Sequence, residues 1–392
     1  MGIKIGMVGV GAFAQCFIPL FKAHPLVDQV VLCDLDVEKL RRNAAEHDIA
    51  ATSPSLDALC QTDVDAVVII TQHWMHAPQA MQALRAGKHV YSAVPAGVTL
   101  DELAELVNTV RATGRIYMMG ETSYYYPNVI YCREQFARGA FGRVVYAEAE
   151  YYHDWDHGLY DVAKWRGGER WLELAGGPPM YYPTHSVSQV ISVTGAHMTQ
   201  VSCQGIVDQH ADGIYRADVN IWHNVFSNES ALFKMSDGSV ARINEFRRIG
   251  HPGCERMSMW GTHGSFELNA AGAAWVTKVH AAWDENAQEG MQRLDDIMDV
   301  RGVPAPSGGT YIGVSRVHAV SRLPRSFIGL PNGHWGSHQF LVDDFVQACV
   351  SGQQPPNNVW QAARYTAPGI VAHESAVRGG ALLDVPDYGD PM

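Results

Sequence analysis

The chain is short of charge. Charged residues make up 18% of its 392 positions, below the roughly 25% usual for soluble domains. The charge is also one-sided, with 29 Lys and Arg against 41 Asp and Glu, a net −12. No run of basic residues breaks that balance, which disfavours nucleic acid and anionic membranes as partners, since both recruit Lys/Arg clusters. No apolar stretch reaches 18 residues, so no membrane span is expected. The seven cysteines are odd in number, widely spaced and without a C-x-x-C pair. That pattern argues against a disulfide framework or a structural zinc site and for a reducing compartment. H-E-x-x-H and a close His/carboxylate set on one helix face are missing, and so is a G-x-S-x-G nucleophile elbow. The one dense cluster, His153-Asp154-Trp155-Asp156-His157, is too little to expect a metal. Neither a signal peptide nor a myristoylation site opens the chain, and a cytoplasmic enzyme is expected.

Apolar residues amount to 47%, which excludes bulk disorder, and the length suggests two or three domains. Up to about residue 122 short apolar runs alternate with helical patterns. The runs are 3–10, 27–33, 66–71, 89–94 and 115–119, and the helices include 37–47, 77–86 and 100–113. Alternating βα units of this length predict a parallel sheet covered on both faces. Beyond residue 140 the period changes to two. Strands are predicted at 143–153, 200–208, 217–226, 231–235, 240–246, 255–261 and 265–268, with helices near 128–138, 184–194, 337–351 and 358–378. The fold class is therefore α/β, with an N-terminal Rossmann domain (1–123). A C-terminal α+β domain (124–392) follows, built on an open, mainly antiparallel sheet. Residues 284–334 are Gly/Pro-rich and irregular, which is long for a loop and often marks function or an interface.

Gly9-Val10-Gly11-Ala12-Phe13-Ala14 follows a strand and precedes a helix. In that context G-x-G-x-x-A is a dinucleotide-binding turn. The first Gly permits the turn, the second lets the backbone approach a pyrophosphate, and the helix N-terminus faces its charge. Asp34 ends the second strand, where a carboxylate accepts from a ribose 2′-hydroxyl and repels a 2′-phosphate, favouring NAD over NADP. An ordinary strand-end Asp remains open. Thr71, Trp74 and His76 sit at the carboxyl end of the strand 66–71, where ligands of such sheets bind. His76 alternatively caps a helix or fills the core.

These residues, with Ala86-Gly87-Lys88-His89-Val90, Pro95 and the tail His373-Glu374-Ser375-Ala376, resemble the glucose–fructose oxidoreductase / inositol dehydrogenase / MocA (Gfo/Idh/MocA) family. The resemblance implies a Rossmann domain followed by an open sheet, one face of which often forms a homodimer or homotetramer contact. Two departures stand out. The ordinary members' catalytic Lys falls at Val94, and the Asp four residues before their catalytic His falls at Tyr181. The NAD-dependent glycosidase branch, glycoside hydrolase family 109, is more similar. It shares Val94-Pro95-Ala96, Met118-Met119-Gly120-Glu121, Tyr151-Tyr152-His153-Asp154 and Tyr182-Pro183-Thr184-His185. That likeness implies active-site roles for Glu121, Tyr151, Tyr182 and His185. It also implies a redox-neutral mechanism, in which C3 of a sugar is oxidised, C2 deprotonated and the C1 group eliminated before water adds and the hydride returns. Ser186-Val187-Ser188 stands where the branch is Gly-rich, and the segment between Tyr151 and Tyr182 is short, so the sugar stays open.

The residues suit this chemistry on their own terms. Pro183 starts a helix well, placing His185 in a first turn where the helix dipole disfavours imidazolium, and a neutral His is the better base. Along the strand 143–153, Val145, Ala147, Ala149, Tyr151 and His153 share one face and Glu148 and Glu150 the other. His153 is a candidate to bind the substrate beside Tyr151, and cross-strand packing is the plain alternative for both. Trp165 and Arg166 are candidates to hold a sugar substituent, against a surface role for Arg166. Tyr124 to Tyr126 follow the last Rossmann strand and are candidates to line the same cleft, Tyr124 as a substrate contact, with packing favoured for at least two of the three. Eleven of the 16 Tyr lie between Tyr117 and Tyr182, an aromatic concentration that fits stacking on a pyranose. A net NAD-dependent sugar or polyol dehydrogenase and a catalytically silent sugar or NAD sensor are the rival readings.

Overall fold

A computed structural model describes residues 2–278 and 290–391. The chain forms two compact units, one of Met1–Ile130, Asp296–Ala363 and Tyr388–Met392, the other of Tyr131–Asp295 and Arg364–Asp387.

The first unit is built on six parallel strands, β1 (Ile3–Val8), β2 (Val27–Cys33), β3 (Thr52–Ser53), β4 (Ala66–Ile69), β5 (His89–Ser92) and β6 (Tyr117–Met119), in the order β3-β2-β1-β4-β5-β6. Helices α1 (Ile18–Ala23), α2 (Val37–Glu46), α3 (Leu56–Cys60), α4 (His76–Arg85) and α5 (Leu100–Thr113) make the crossovers. β1 and β4 are almost wholly buried, as a sheet covered on both faces requires. Helix α5 is delimited by local chemistry. Thr99 and Glu102 form a reciprocal capping box and Gly114 ends the helix in the left-handed region, as favoured at these positions. Residues 296–363, placed with the second domain on sequence, pack with this unit instead. Phe327, Phe340 and Phe345 share one apolar core with Phe17, Phe21 and Tyr91. The sequence signal at residue 123 marks a change of period, whereas the core is assembled from chain segments far apart.

In the second unit α6 (Pro127–Ala137, begun in the first unit) leads into a nine-stranded sheet. Its strands are β7 (Val144–Tyr152), β8 (Met198–Val207), β9 (Phe226–Met235), β10 (Val240–Phe246), β11 (Cys254–Gly261), β12 (Gly264–Asn269), β13 (Gly272–Thr277), β14 (Met291–Arg293) and, from the C-terminus, a short strand Leu383–Asp384 beside β8. Neighbours run antiparallel except β7 and β10. Helices α7 (Leu159–Gly167), α8 (Trp171–Ala175) and α9 (Thr184–Thr194) follow β7, and α9 packs on β7, β10 and β11. α10 (His338–Ser351) lies in the first unit, and α11 (Val359–Val377) passes from the first unit into the second.

The strand predicted at 217–226 does not form before Phe226. Asn220 Nδ2 donates to the carbonyls of Ile214, Arg216 and Asn224, and the Asn220 side chain accepts from the Asn224 N–H. His223 takes φ +52°. Local side-chain bonding of this kind competes with a sheet ladder. The irregular segment 284–334 contains a two-stranded ribbon, Gly302–Pro304 with Thr310–Ile312, and short 3-10 turns, and its first part, 284–289, lies outside the described residues. Among the described residues no helix is long and apolar enough to cross a membrane, and no group of three His, Cys, Asp or Glu is placed to hold a metal ion.

Candidate active site

The glycine turn has the geometry a dinucleotide needs. Gly9 has φ +86°, and a Cβ there would lie 2.2 Å from the Ile70 carbonyl oxygen. Only glycine fits such a close approach of two βα loops. The Val10 N–H donates to Asp34 Oδ2 at 3.0 Å, so the carboxylate at the end of β2 also holds the turn. Lys39 Nζ reaches the same oxygen at 2.9 Å. Phe13 opens a 3-10 turn with Ala14, which is buried, and α1 begins only at Ile18. Gly11 is half-buried at the head of this turn.

At the neighbouring strand ends, Thr71 Oγ1 donates to Gln79 at 2.6 Å and Trp74 is half-buried in a 3-10 turn. His76 is buried, with Nδ1 2.8 Å from the Pro95 carbonyl and Nε2 3.3 Å from that of Thr71. It ties two loops of the site together. Pro95 follows a cis Val94–Pro95 bond, and Val94 itself is buried. Glu121 is buried after β6. Its Oε1 accepts the Ser123 N–H and hydroxyl, both at 2.9 Å, and its carbonyl accepts from Asn357. Tyr124 is half-buried against Tyr125, while Tyr125 and Tyr126 are buried. This turn, its carboxylate and the flanking loops fit a dinucleotide.

In the second unit Tyr151, His153, Tyr182 and His185 come together. The Tyr151 ring lies 6.0 Å from Tyr182 and 5.6 Å from His185, and Tyr182 lies 5.3 Å from His185. Pro183 caps α9 and His185 occupies its first turn. The Tyr151 hydroxyl sits 2.7 Å from His153 Nδ1. Burial, with Arg247 and His157 nearby, lowers His153 to about 4, so its Nδ1 is assigned as acceptor and Tyr151 as donor. Burial, then Glu255 and Tyr182, pushes the Tyr151 phenol well above its ordinary value, with Arg247 opposing.

Sequence reasoning missed the carboxylates beside this group. Across adjacent strands Glu229 pairs with Glu245, Glu245 with Tyr151 and Tyr151 with Glu255, so all four share one sheet face. Glu245 is 0% exposed. It accepts from Ser186 Oγ at 2.5 Å and from Arg247 at 3.2 Å, and burial pushes it up to about 8. Arg247 also stands 4.7 Å from the Tyr151 ring centroid, a cation–π contact. Glu255 Oε2 is 4.0 Å from His185 Nδ1. Glu229 receives the Met180 N–H and pairs with His373 Nδ1 at 2.7 Å. The signal was present, since Ala241-x-Ile243-x-Glu245 and Glu255-x-Met257-x-Met259 each put a carboxylate on an otherwise apolar face.

Trp165 and Arg166 are not brought to this group. Both are exposed on α7, Trp165 by 59%, and that helix packs on α8 and on a small core around Trp155, Ile214 and Tyr215. Tyr181, at the family's Asp position, packs edge-on against His373 and Trp222.

Residues 3–121 match the model of the oxidoreductase family with an NAD-binding Rossmann fold, and residues 129–267 match the GFO/IDH/MocA C-terminal domain. The chain belongs to the Gfo/Idh/MocA family. It is an NAD-dependent enzyme of that family. A glycosyl hydrolase family 109 protein of Saccharopolyspora erythraea is 25% identical over 98% of this chain and 83% of its own. One from Shewanella amazonensis is 31% identical over 48% of this chain and 44% of its own. Among solved structures, levoglucosan dehydrogenase with NADH and levoglucosan has a TM-score of 0.77 at 18% identity, covering 99% of this chain and 100% of that one. The myo-inositol 2-dehydrogenase of Lactobacillus plantarum has 0.71 at 19%, covering 98% and 100%.

Proposed function

We propose that this Gfo/Idh/MocA protein is a glycoside hydrolase that uses NAD as a recycled cofactor. One observation carries the reading. Tyr151, His153, Tyr182 and His185 gather at one end of a sheet face, while Val94 occupies the position at which dehydrogenases of the family place a Lys. Proton transfer here is assigned to uncharged groups. The glycosyl hydrolase names of the full-length relatives support the same choice.

The Gly9–Ala14 turn and Asp34 would hold NAD, which would supply a reversible hydride acceptor for C3 of the sugar, the hydride being returned by the end of the cycle. His185 removes the proton of the 3-hydroxyl. The C3 ketone acidifies C2–H, and the Tyr151–His153 pair takes that proton, Tyr151 passing its own to His153 as it accepts another. As the C1–O bond breaks, Tyr182 supplies a proton to the leaving oxygen. Water then adds, its hydroxyl to C1 and its remaining proton to the Tyr182 phenolate, while the Tyr151–His153 pair returns a proton to C2 and His185 returns one to O3. Glu121 belongs to the cofactor side of the site. The protein is taken to work in the cytoplasm as a homodimer or homotetramer, the open sheet face forming the contact, which sedimentation would test.

A net sugar or polyol dehydrogenase is the second reading, favoured by the solved levoglucosan and inositol dehydrogenases. Incubation with NAD and aryl glycosides in D2O separates the two. Aglycone release with deuterium at C2 and no net NADH is expected. Release without C2 exchange would refute the elimination step, and stoichiometric NADH would establish the dehydrogenase. No turnover with any sugar would leave the sensor.

A further inference from the structure

One strained segment of the first unit has no part in the chemistry above. Between Asn332 and α10, His334 takes φ +44°, Trp335 φ +54° and Gly336 φ +93°. Two consecutive bulky residues in the left-handed region are an outlier for L side chains. Such a conformation persists where the surroundings over-determine it, and it concentrates at ligand clamps and active sites. Here the surroundings do so. Asn332 Nδ2 donates to the Gly336 carbonyl at 3.0 Å, and its Oδ1 accepts from the Gln339 N–H at 3.3 Å. The N–H groups of Gly336 and Ser337 both return to the Gly333 carbonyl, at 3.0 and 3.1 Å. His334 Nδ1 lies 2.8 Å from His338 Nε2. His338 is buried.

The place of this strap is defined by Phe13 of the glycine turn. Its ring meets His334 edge-on at 5.4 Å and His338 at 5.8 Å, and His338 lies tilted at 4.5 Å against Phe17, four residues further along. The strained backbone thus leaves the Trp335 indole 41% exposed, one residue from the His334 ring that meets Phe13 of the glycine turn.

We propose that the strap Gly333–Gly336 is a second wall of the dinucleotide site, with His334 as its anchor through His338 and Trp335 laid against bound NAD, slowing its release. An aromatic face supplies a large contact at small conformational cost. The need for slow release rests on the redox-neutral reading, in which a cofactor that regains its original state each cycle has no cause to leave.

The test uses the full-length protein loaded with NAD, desalted, and chased with etheno-NAD without any sugar present. Trp335→Ala is expected to speed NAD release at least tenfold, and Trp335→Phe to restore most of the retention. Trp335→Gly suits the left-handed backbone and guards against misfolding. It is expected to melt no lower than the parent and still release NAD quickly. Release within twofold of the parent in both the Ala and Gly variants would overturn the proposal. Because no sugar is involved, failure of the strap leaves the glycosidase reading intact, and failure of that reading leaves the release rates unchanged.

Discussion

Tyr151 and Glu245 stand directly opposite each other on β7 and β10, with the Arg247 guanidinium against both the ring and the carboxylate. The Tyr151 phenol is thus seated on a buried carboxyl–guanidinium contact. Tyr151→Phe keeps the ring and removes the hydroxyl. Turnover is expected to fall about 10²- to 10⁴-fold, the usual worth of a general acid–base group, while NAD binding by calorimetry stays within twofold. Near-parental turnover would remove Tyr151 from the mechanism.

The buried histidines set an acid limit to stability. His153 and His318 are lowered to about 4 and His338 to about 3, all chiefly by burial. The unfolded chain, with His near 6.5, binds more protons than the folded one between these values and 6.5. Stability from this source is therefore complete above pH 6.5 and lost as pH falls toward 4. Glu245, raised by burial to about 8, has the opposite sign. The folded state holds its proton between about 4.5 and 8, so stability declines as pH rises through that window. Above pH 6.5 the histidines no longer contribute to the slope, and Glu245→Gln is expected to flatten the decline in denaturation midpoint between pH 6.5 and 8. An unchanged slope would contradict it.

Asp34 and Lys39 are expected to set the choice between NAD and NADP. Asp34→Ala removes the acceptor for a ribose hydroxyl and is expected to weaken NAD by about ten- to a hundredfold, the worth of a hydrogen bond to a charged group. Lys39, 2.9 Å from that carboxylate, offsets part of its repulsion toward a 2′-phosphate. Lys39→Met is expected to widen the NAD-over-NADP preference severalfold in equilibrium binding, and a narrowed preference would reverse the assigned sign.

Gly9→Ala places a Cβ against the Ile70 carbonyl at φ +86°. Both strain and collision act, so a loss of about 2–4 kcal/mol in denaturant unfolding is expected, together with loss of NAD affinity. Gly114, also left-handed but with open space around it, is the control, and its Ala variant is expected to lose only about 1 kcal/mol.

Much of the candidate site is legible in the sequence, for physical reasons. The turn at Gly9 and the carboxylate at Asp34 are local features of one βα unit. Period-two alternation alone put Tyr151 and His153 on one face, and Pro183 alone put His185 in a first helical turn. The donor capacity of Arg166 is legible in the sequence, whereas the exposure of Trp165 and Arg166 on α7 is set by how that helix packs on α8. The 217–226 segment misled because alternation was counted without the backbone-bonding capacity of Asn220 and Asn224.

The sequence by itself determined the alternating strands and helices of the Rossmann half, the glycine turn and the uncharged character of the proposed proton-transfer set, because these depend on residue type and spacing within a few turns of chain. Register decided the rest. Only the pairing of β9, β10, β7 and β11 aligns Glu229, Glu245, Tyr151 and Glu255, and a slip of one residue would send each side chain to the other face. Only tertiary packing carries residues 296–363 back onto the Rossmann sheet. It brings His334 to Phe13 across more than 300 residues, since a core fills its volume without regard to chain order.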